Sequence, residues 1–132
     1  MPVKQTILLV DDEADIRELY KLVLESAGDS VIAVDNAQAA LEIMAAQPVD
    51  LLITDHQMPE MSGVQLINAV RDQYPGLPTI LASGQTHVDA LAKSCGASAY
   101  YRKSTPITQL VDTVRAMLKR HTQQQGDAPS PR

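Results

Sequence analysis

The sequence predicts a doubly wound α/β sandwich, a three-layer fold in which helices cover both faces of a parallel sheet. Short apolar runs alternate along the chain with segments of helical spacing, and several of these runs are continuously hydrophobic, as strands buried on both faces must be. Strands and helices that alternate in this way form successive right-handed βαβ crossovers. The 132 residues are enough for one such domain with a real core.

Five apolar runs are the predicted strands. They comprise residues 7–10, 31–34, 51–54, 79–82 and, more weakly, 98–101. The first, third and fourth runs show no polar alternation, and we therefore expect them in the interior of the sheet.

Helical spacing of apolar residues predicts five helices, giving a (βα)5 order. Each helix has a start signal, and these residues in chain order are Asp12, Asn36, Ser62, Thr86 and Thr105. Stop signals end the first four helices, and these are Gly28, Pro48, Pro75 and Gly96.

Composition restricts the partners. The formal net charge of -5 disfavours tight binding to a phosphate backbone, so we expect no nucleic-acid binding by this domain. No apolar stretch reaches the roughly 18 residues of a membrane span, and the N-terminus lacks a signal-peptide pattern. The single Cys95 excludes an internal disulfide and a cysteine metal cluster. These features predict a cytoplasmic protein that binds no membrane.

The C-terminal residues differ from the rest of the chain. Residues 122–132 are polar and contain proline, with nothing to bury. We expect one domain of residues 1–121, followed by a flexible C-terminal tail or truncated linker of residues 122–132.

Polar residues follow the strands at their carboxyl ends, where doubly wound sheets bind their ligands. Asp11 and Asp12 follow the first strand, Asp55 the third, Ser83 the fourth and Lys103 the fifth. Carboxylates that converge at one edge repel each other unless a cation lies between them. Oxygen ligands with room for water and phosphate oxygens favour Mg²⁺.

The same residues suit a phosphoryl group. A Ser83 hydroxyl and a Lys103 ammonium supply a hydrogen-bond donor and a positive charge, which together hold a tetrahedral dianion. A carboxylate can act as the nucleophile of phosphoryl transfer and form an acyl phosphate. Asp55 is the candidate for this nucleophile.

Four segments at these strand ends resemble the receiver domains of bacterial two-component response regulators. They are residues 10–13 (VDDE), 55–63 (DHQMPEMSG), 83–84 (SG) and 96–103 (GASAYYRK). The resemblance covers residues 5–120 and implies a flavodoxin-like fold whose five-stranded parallel sheet has the order 2-1-3-4-5. That order agrees with interior positions for the first, third and fourth strands.

The resemblance also implies a role for each acidic residue. Asp55 would be the phosphoacceptor and a metal ligand, and Asp12 a direct ligand of Mg²⁺. Asp11 would bind the ion through water, and Gln57 through its backbone carbonyl.

The remaining implied roles concern signalling. Ser83 and Lys103 would contact the phosphoryl group, and Tyr100 would move inward as Ser83 shifts. The switched face would comprise the fourth helix, fifth strand and fifth helix, through which a homodimer could also form. The partner would be a sensor histidine kinase or a phosphotransfer protein. Such a phosphoprotein is no enzyme in the ordinary sense, since it catalyses only its own phosphoryl transfer and dephosphorylation.

One residue departs from the family's pattern. Receiver domains commonly have proline after the lysine, with a cis bond, whereas Ser104 follows Lys103 here. A cis bond before a residue other than proline costs roughly 2.5–4 kcal/mol, so we expect the Lys103–Ser104 bond to be trans.

Three other functions are compatible with parts of the pattern. A pseudo-receiver would serve only as an interaction module, but all the acidic, hydroxyl and lysine positions are filled. An aspartyl-phosphate phosphatase of the haloacid dehalogenase type needs Asp-x-Asp, and here Gln57 occupies the second position. A flavodoxin-like flavin binder needs a Ser/Thr-rich phosphate loop where Asp11 and Asp12 stand.

Overall fold

Five strands and five helices alternate along the chain in a computed structural model, which describes residues 4–127 and the side chains of residues 4–120. The strands are β1 (Thr6–Val10), β2 (Ser30–Val34), β3 (Leu51–Asp55), β4 (Thr79–Ser83) and β5 (Ala99–Arg102). The helices are α1 (Ala14–Ser26), α2 (Ala37–Ala46), α3 (Gly63–Gln73), α4 (Val88–Cys95) and α5 (Ile107–Asp127).

The strands form one parallel sheet in the order β2-β1-β3-β4-β5. This confirms the predicted fold and the interior positions of β1, β3 and β4. Every residue of β3 and β4 is buried, because helices cover both faces of these strands. No helix within the described residues is both long enough and apolar enough to cross a membrane.

Two aliphatic cores lie on opposite faces of the sheet, since successive strand residues point to opposite sides. Ile7 and Leu9 of β1 belong to the core under α1 and α5, which also contains Tyr20 and Tyr101. Leu8 of β1 belongs to the core under α2, α3 and α4. The sheet is thereby packed against helices on both faces.

Two helix starts follow the sequence prediction. The Asn36 side chain accepts a hydrogen bond from the Ala39 amide at 2.8 Å and caps α2. Ser62 caps α3 in a reciprocal capping box with Gln65. Both residues act through bonds to neighbours three positions away, which a sequence pattern can reveal.

Two predicted caps were wrong, and a third lies one residue from the observed one. Glu13, not Asp12, is the N-cap of α1 and makes no side-chain cap bond. His87, the residue after Thr86, is the N-cap of α4 and makes no side-chain cap bond. The Thr105 hydroxyl donates to the Arg102 carbonyl at 2.6 Å instead of capping α5. At the start of α1, the Glu13 amide donates to Oδ1 of Asp11 at 3.0 Å, so Asp11 takes part in the local bonding in place of Asp12.

The C-terminal ends of α4 and α5 compare differently with the sequence prediction. Gly96 closes α4 in the left-handed conformation, with φ of 72°. Helix α5 continues to Asp127, beyond the boundary at residue 121 that polar composition favours. The rest of the predicted tail, residues 128–132, lies outside the described residues, and the division into domain and tail stays a prediction.

Candidate functional site

The carboxyl edge of the sheet gathers most of the residues that the sequence singles out. Asp55 and Ser83 are the last residues of β3 and β4, and Asp11 and Lys103 directly follow β1 and β5. Because the strands are parallel, these positions meet at one edge. A cavity of about 280 Å³ opens there, and it is lined by Asp12, Glu13, Asp55, Gln57, Gly84 and Lys103.

Three carboxylates converge in this cavity. Ligand oxygens of Asp11, Asp12 and Asp55 all lie within 4.8 Å of one another. Asp11 is 1% exposed and Asp55 6% exposed, whereas Asp12 faces solvent. Buried negative charge at this spacing needs a nearby cation to be stable.

Lys103 supplies one positive charge to this cluster. Its Nζ lies 3.0 Å from Oδ2 of Asp11 and 2.9 Å from Oδ1 of Asp55. The Lys103 backbone amide donates to the Ser83 carbonyl at 2.9 Å, which joins the lysine loop to β4. One ammonium facing three carboxylates leaves the site with net negative charge.

Burial and pairing act in opposite directions on the two partners. Burial raises the pKa of Asp55 more than the hydrogen bond from Lys103 lowers it, and the charges of Asp11 and Asp12 raise it further. Burial lowers the pKa of Lys103, but its hydrogen bonds to Asp55 and Asp11 outweigh that effect and raise the pKa above its usual value. Lys103 is therefore firmly charged, while Asp55 ionises less readily than an exposed aspartate.

The donor set fits a small, hard divalent cation. All three side chains offer carboxylate oxygens, the ligands that Mg²⁺ takes in preference to nitrogen or sulfur. Gln57 is exposed and lines the same cavity. A further cavity, of about 260 Å³ near Pro78 and Ser98, lies at the opposite edge of the sheet and has no carboxylate in its lining.

Ser83 and Tyr100, the predicted switch residues, have different environments. Ser83 is buried, and its hydroxyl oxygen accepts a hydrogen bond from the Gln85 amide at 3.0 Å. Tyr100 is 41% exposed, and the Arg102 guanidinium carbon lies 5.5 Å from the centre of its ring. The inward position that the resemblance implies for Tyr100 is thus not the one in this structure.

Gly63, the first residue of α3, is a site residue that the sequence analysis gave no role. A Cβ at this position would lie 2.3 Å from the Asp55 carbonyl oxygen. The Gly63 amide donates to the His56 carbonyl at 2.9 Å, which holds the loop after Asp55 against the helix. Glycine is a poor helix former, so its presence at the start of a predicted helix was the sequence feature that could have indicated a packing role for Gly63.

Comparison with known proteins agrees with this arrangement. The family model described as the response regulator receiver domain matches residues 7–115. The chain belongs to this family. It is thus a receiver domain of two-component response regulators, which is a signalling domain.

Curated relatives of this receiver domain are mostly longer proteins. It is 36% identical over 110 residues to the response regulator protein FleR of Pseudomonas aeruginosa, covering 82% of this chain and 23% of FleR. It is 33% identical over 131 residues to the phosphate regulon transcriptional regulatory protein PhoB of the same species, covering 96% of this chain and 57% of PhoB. The chain therefore corresponds to only part of these proteins.

A solved structure of similar fold is that of a response regulator. The response regulator protein TrrA from Thermotoga maritima, described in complex with Mg²⁺-BeF, superimposes with a TM-score of 0.80 at 31% identity. The match covers 86% of this chain and 98% of TrrA.

Proposed function

We propose that this receiver domain accepts a phosphoryl group on Asp55 from a phosphohistidine of a sensor histidine kinase or a phosphotransfer protein. The observation that carries the proposal is the buried Asp55 carboxylate, whose Oδ1 lies 2.9 Å from Lys103 Nζ in a cavity lined by acidic side chains. The cavity is open, so a donor side chain can approach it. The family membership supports the same proposal.

The transfer moves one phosphoryl group between two side chains. The bond between phosphorus and the donor imidazole nitrogen breaks, and a bond between phosphorus and an Asp55 carboxylate oxygen forms. The imidazole nitrogen keeps the electron pair, and Asp55 becomes an acyl phosphate. Lys103 favours the ionised, nucleophilic form of Asp55 and would neutralise charge on the phosphoryl oxygens.

Mg²⁺ is the cofactor that these residues would hold. The ligands would be the carboxylates of Asp12 and Asp55, the backbone carbonyl of Gln57, and Asp11 through water. When bound, the ion supplies positive charge that offsets the repulsion between the carboxylates and the phosphoryl oxygens. The description of TrrA with Mg²⁺-BeF supports this choice of cation.

The proposed output passes through α4, β5 and α5. Once Asp55 is phosphorylated, the Ser83 hydroxyl would donate to a phosphoryl oxygen, and Tyr100 would turn inward. Arg102, which contacts the Tyr100 ring, also donates to the Thr86 carbonyl at 3.0 Å and lies 3.9 Å from Asp89 of α4. A turn of Tyr100 would therefore change the contacts that Arg102 makes with α4 and the loop before it. We expect a homodimer to form through the face made by α4, β5 and α5.

Labelling by a small phosphodonor tests the proposal. With acetyl phosphate and Mg²⁺, we expect one phosphoryl group per chain, detected by mass spectrometry and on a phosphate-affinity gel. Asp55→Asn should abolish labelling, because an amide is not nucleophilic enough to attack phosphorus. The matched control is Asp35→Asn, an exposed aspartate directly after β2 at the same edge, which should label normally. Undiminished labelling of Asp55→Asn would refute the assignment.

A further inference from the structure

The loop that carries Lys103 is held in place from the hydrophobic core. The peptide bond between Lys103 and Ser104 is trans, as expected, since no described peptide bond is cis. Where relatives commonly have a rigid proline, this chain has Ser104, which is exposed. The position of Lys103 must therefore be fixed by contacts with its neighbours.

Tyr101 provides such a contact. Its hydroxyl donates a hydrogen bond of 2.7 Å to the carbonyl oxygen of Thr105, two residues beyond Lys103. The Thr105 amide in turn donates to the Arg102 carbonyl at 2.9 Å. Both bonds join Thr105 to β5, so the loop of residues 103–105 is closed against the end of the strand.

The Tyr101 ring is itself firmly placed. It is 3% exposed in the core beneath α1 and α5. It packs edge-on against the ring of Tyr20 on α1, with centroids 6.1 Å apart and planes at 81°. Burial raises the pKa of Tyr20 to about 12, and the adjacent Tyr101 contributes to that shift. A hydroxyl on a ring held this way is a fixed anchor for the loop.

We propose that Tyr101 is a positioning residue for Lys103: through its bond to the Thr105 carbonyl, it holds the lysine loop so that Nζ reaches Asp11 and Asp55. The inference rests on the proposed function, because Lys103 matters to phosphoryl transfer only if Asp55 is the acceptor. Tyr101 touches neither carboxylate in the described contacts, so its effect must pass through Lys103.

The test uses Tyr101→Phe, which removes only the hydroxyl. Loss of one neutral hydrogen bond that orients Lys103 should lower the initial rate of labelling by acetyl phosphate about three- to tenfold. Tyr74→Phe is the control, since Tyr74 is half-buried against the core on the other face of the sheet and should label at the normal rate. Normal labelling of Tyr101→Phe would overturn the inference.

A double-mutant comparison separates positioning from a general structural role. In a Lys103→Met background, Tyr101→Phe should change the residual rate by less than about twofold, because the group it positions is gone. An equal fall in both backgrounds would mean that Tyr101 merely stabilises the domain, and it would overturn the inference.

Hydrogen exchange gives a readout that does not depend on phosphoryl transfer. The amides of Lys103 and Thr105, bonded to the Ser83 and Arg102 carbonyls, should exchange faster in Tyr101→Phe. The Ser98 amide, bonded to the Thr79 carbonyl at the opposite edge, should be unchanged. Unaltered exchange of the Lys103 and Thr105 amides in Tyr101→Phe would refute the positioning role of Tyr101. Absence of labelling in the wild-type chain would instead refute the proposed function, so the two failures are distinguishable.

Discussion

Asp55 must satisfy two opposing requirements. As a nucleophile it has to be ionised, yet its burial raises its pKa and disfavours the charge. Lys103 at 2.9 Å offsets part of this cost, but Lys103 is shared with Asp11. In the absence of a metal ion, the ionised Asp55 carboxylate therefore costs folding stability.

Replacement of Asp55 should make that cost measurable. We expect Asp55→Asn to raise the free energy of unfolding near pH 7.5, in the presence of a chelator, by on the order of 1 kcal/mol. The amide keeps an acceptor for Lys103 and removes the buried charge. The folded-state pKa of Asp55 is raised, so ionisation of Asp55 lowers the free energy of unfolding at pH values above that pKa. This destabilisation disappears as the pH falls toward the pKa of an aspartate in the unfolded chain, about 3.9.

Urea denaturation at several pH values between about 7.5 and 4.5 provides the measurement. The gain in stability from Asp55→Asn should shrink steadily as the pH falls through the folded pKa of Asp55. Exposed Asp35→Asn should change stability by less than about 0.5 kcal/mol. A mutant less stable than wild type near pH 7.5 would show that the ion pair with Lys103 outweighs burial, contrary to the direction of the Asp55 pKa.

At the scale of elements, the connection from β3 to α3 determines where the Asp55 backbone lies. Gly63 begins α3 directly against this backbone, and there is no room for a side chain between them. Glu60, in the same loop, has a φ of 71°, so the chain turns sharply before the helix. The end of the loop that contains Gln57 is thereby held against the Asp55 backbone.

Gly63→Ala should disturb both stability and labelling. Its Cβ would meet the Asp55 carbonyl oxygen at 2.3 Å, so the loop or α3 must move. We expect a loss of roughly 1–3 kcal/mol in the free energy of unfolding and slower labelling by acetyl phosphate. Gly76→Ala is the matched control, because nothing lies within 4 Å of its added Cβ. Equal behaviour of the two variants would contradict a packing role for Gly63.

The same scale shows which elements a sequence can predict. Asn36 and Ser62 were correct caps because their side chains bond amides three residues away, within the pattern itself. Asp12 was a wrong cap because its carboxylate lies with those of Asp11 and Asp55 at the sheet edge. A capping residue in the sequence indicates only the local preference of its side chain for nearby backbone amides. It does not show whether residues from other strands interact with the same side chain.

The site also contains residues that the sequence can predict and residues that it cannot. Asp55 and Lys103 could be predicted as neighbours, because the ends of parallel strands meet at one edge whatever the side chains between them. The roles of Gly63 and Tyr101 depend on distances between a loop and another segment, 2.3 Å in one case and 2.7 Å in the other. Such distances follow from the packing of whole elements, and neither apolar spacing nor residue type specifies them.

At the scale of the whole molecule, apolar burial and buried charge lie in separate regions. Two aliphatic cores hold the sheet from both faces, whereas its carboxyl edge concentrates buried negative charge. The formal net charge of -5 adds a general repulsion to this local one. A cation that binds the edge should therefore stabilise the entire fold, since it binds the folded chain and not the separated aspartates of the unfolded chain.

Mg²⁺ should accordingly raise the free energy of unfolding in a saturable way. The expected gain is about 2.7 kcal/mol when the free ion is at about 100 times its dissociation constant. Denaturation across a Mg²⁺ titration, with ionic strength kept constant by NaCl, separates site binding from general screening. Asp12→Asn removes one of the converging carboxylates and should weaken the response, whereas Asp35→Asn should retain it. An equal response from wild type and Asp12→Asn would mean that the stabilisation comes from diffuse screening, and the three carboxylates would then not form a metal site.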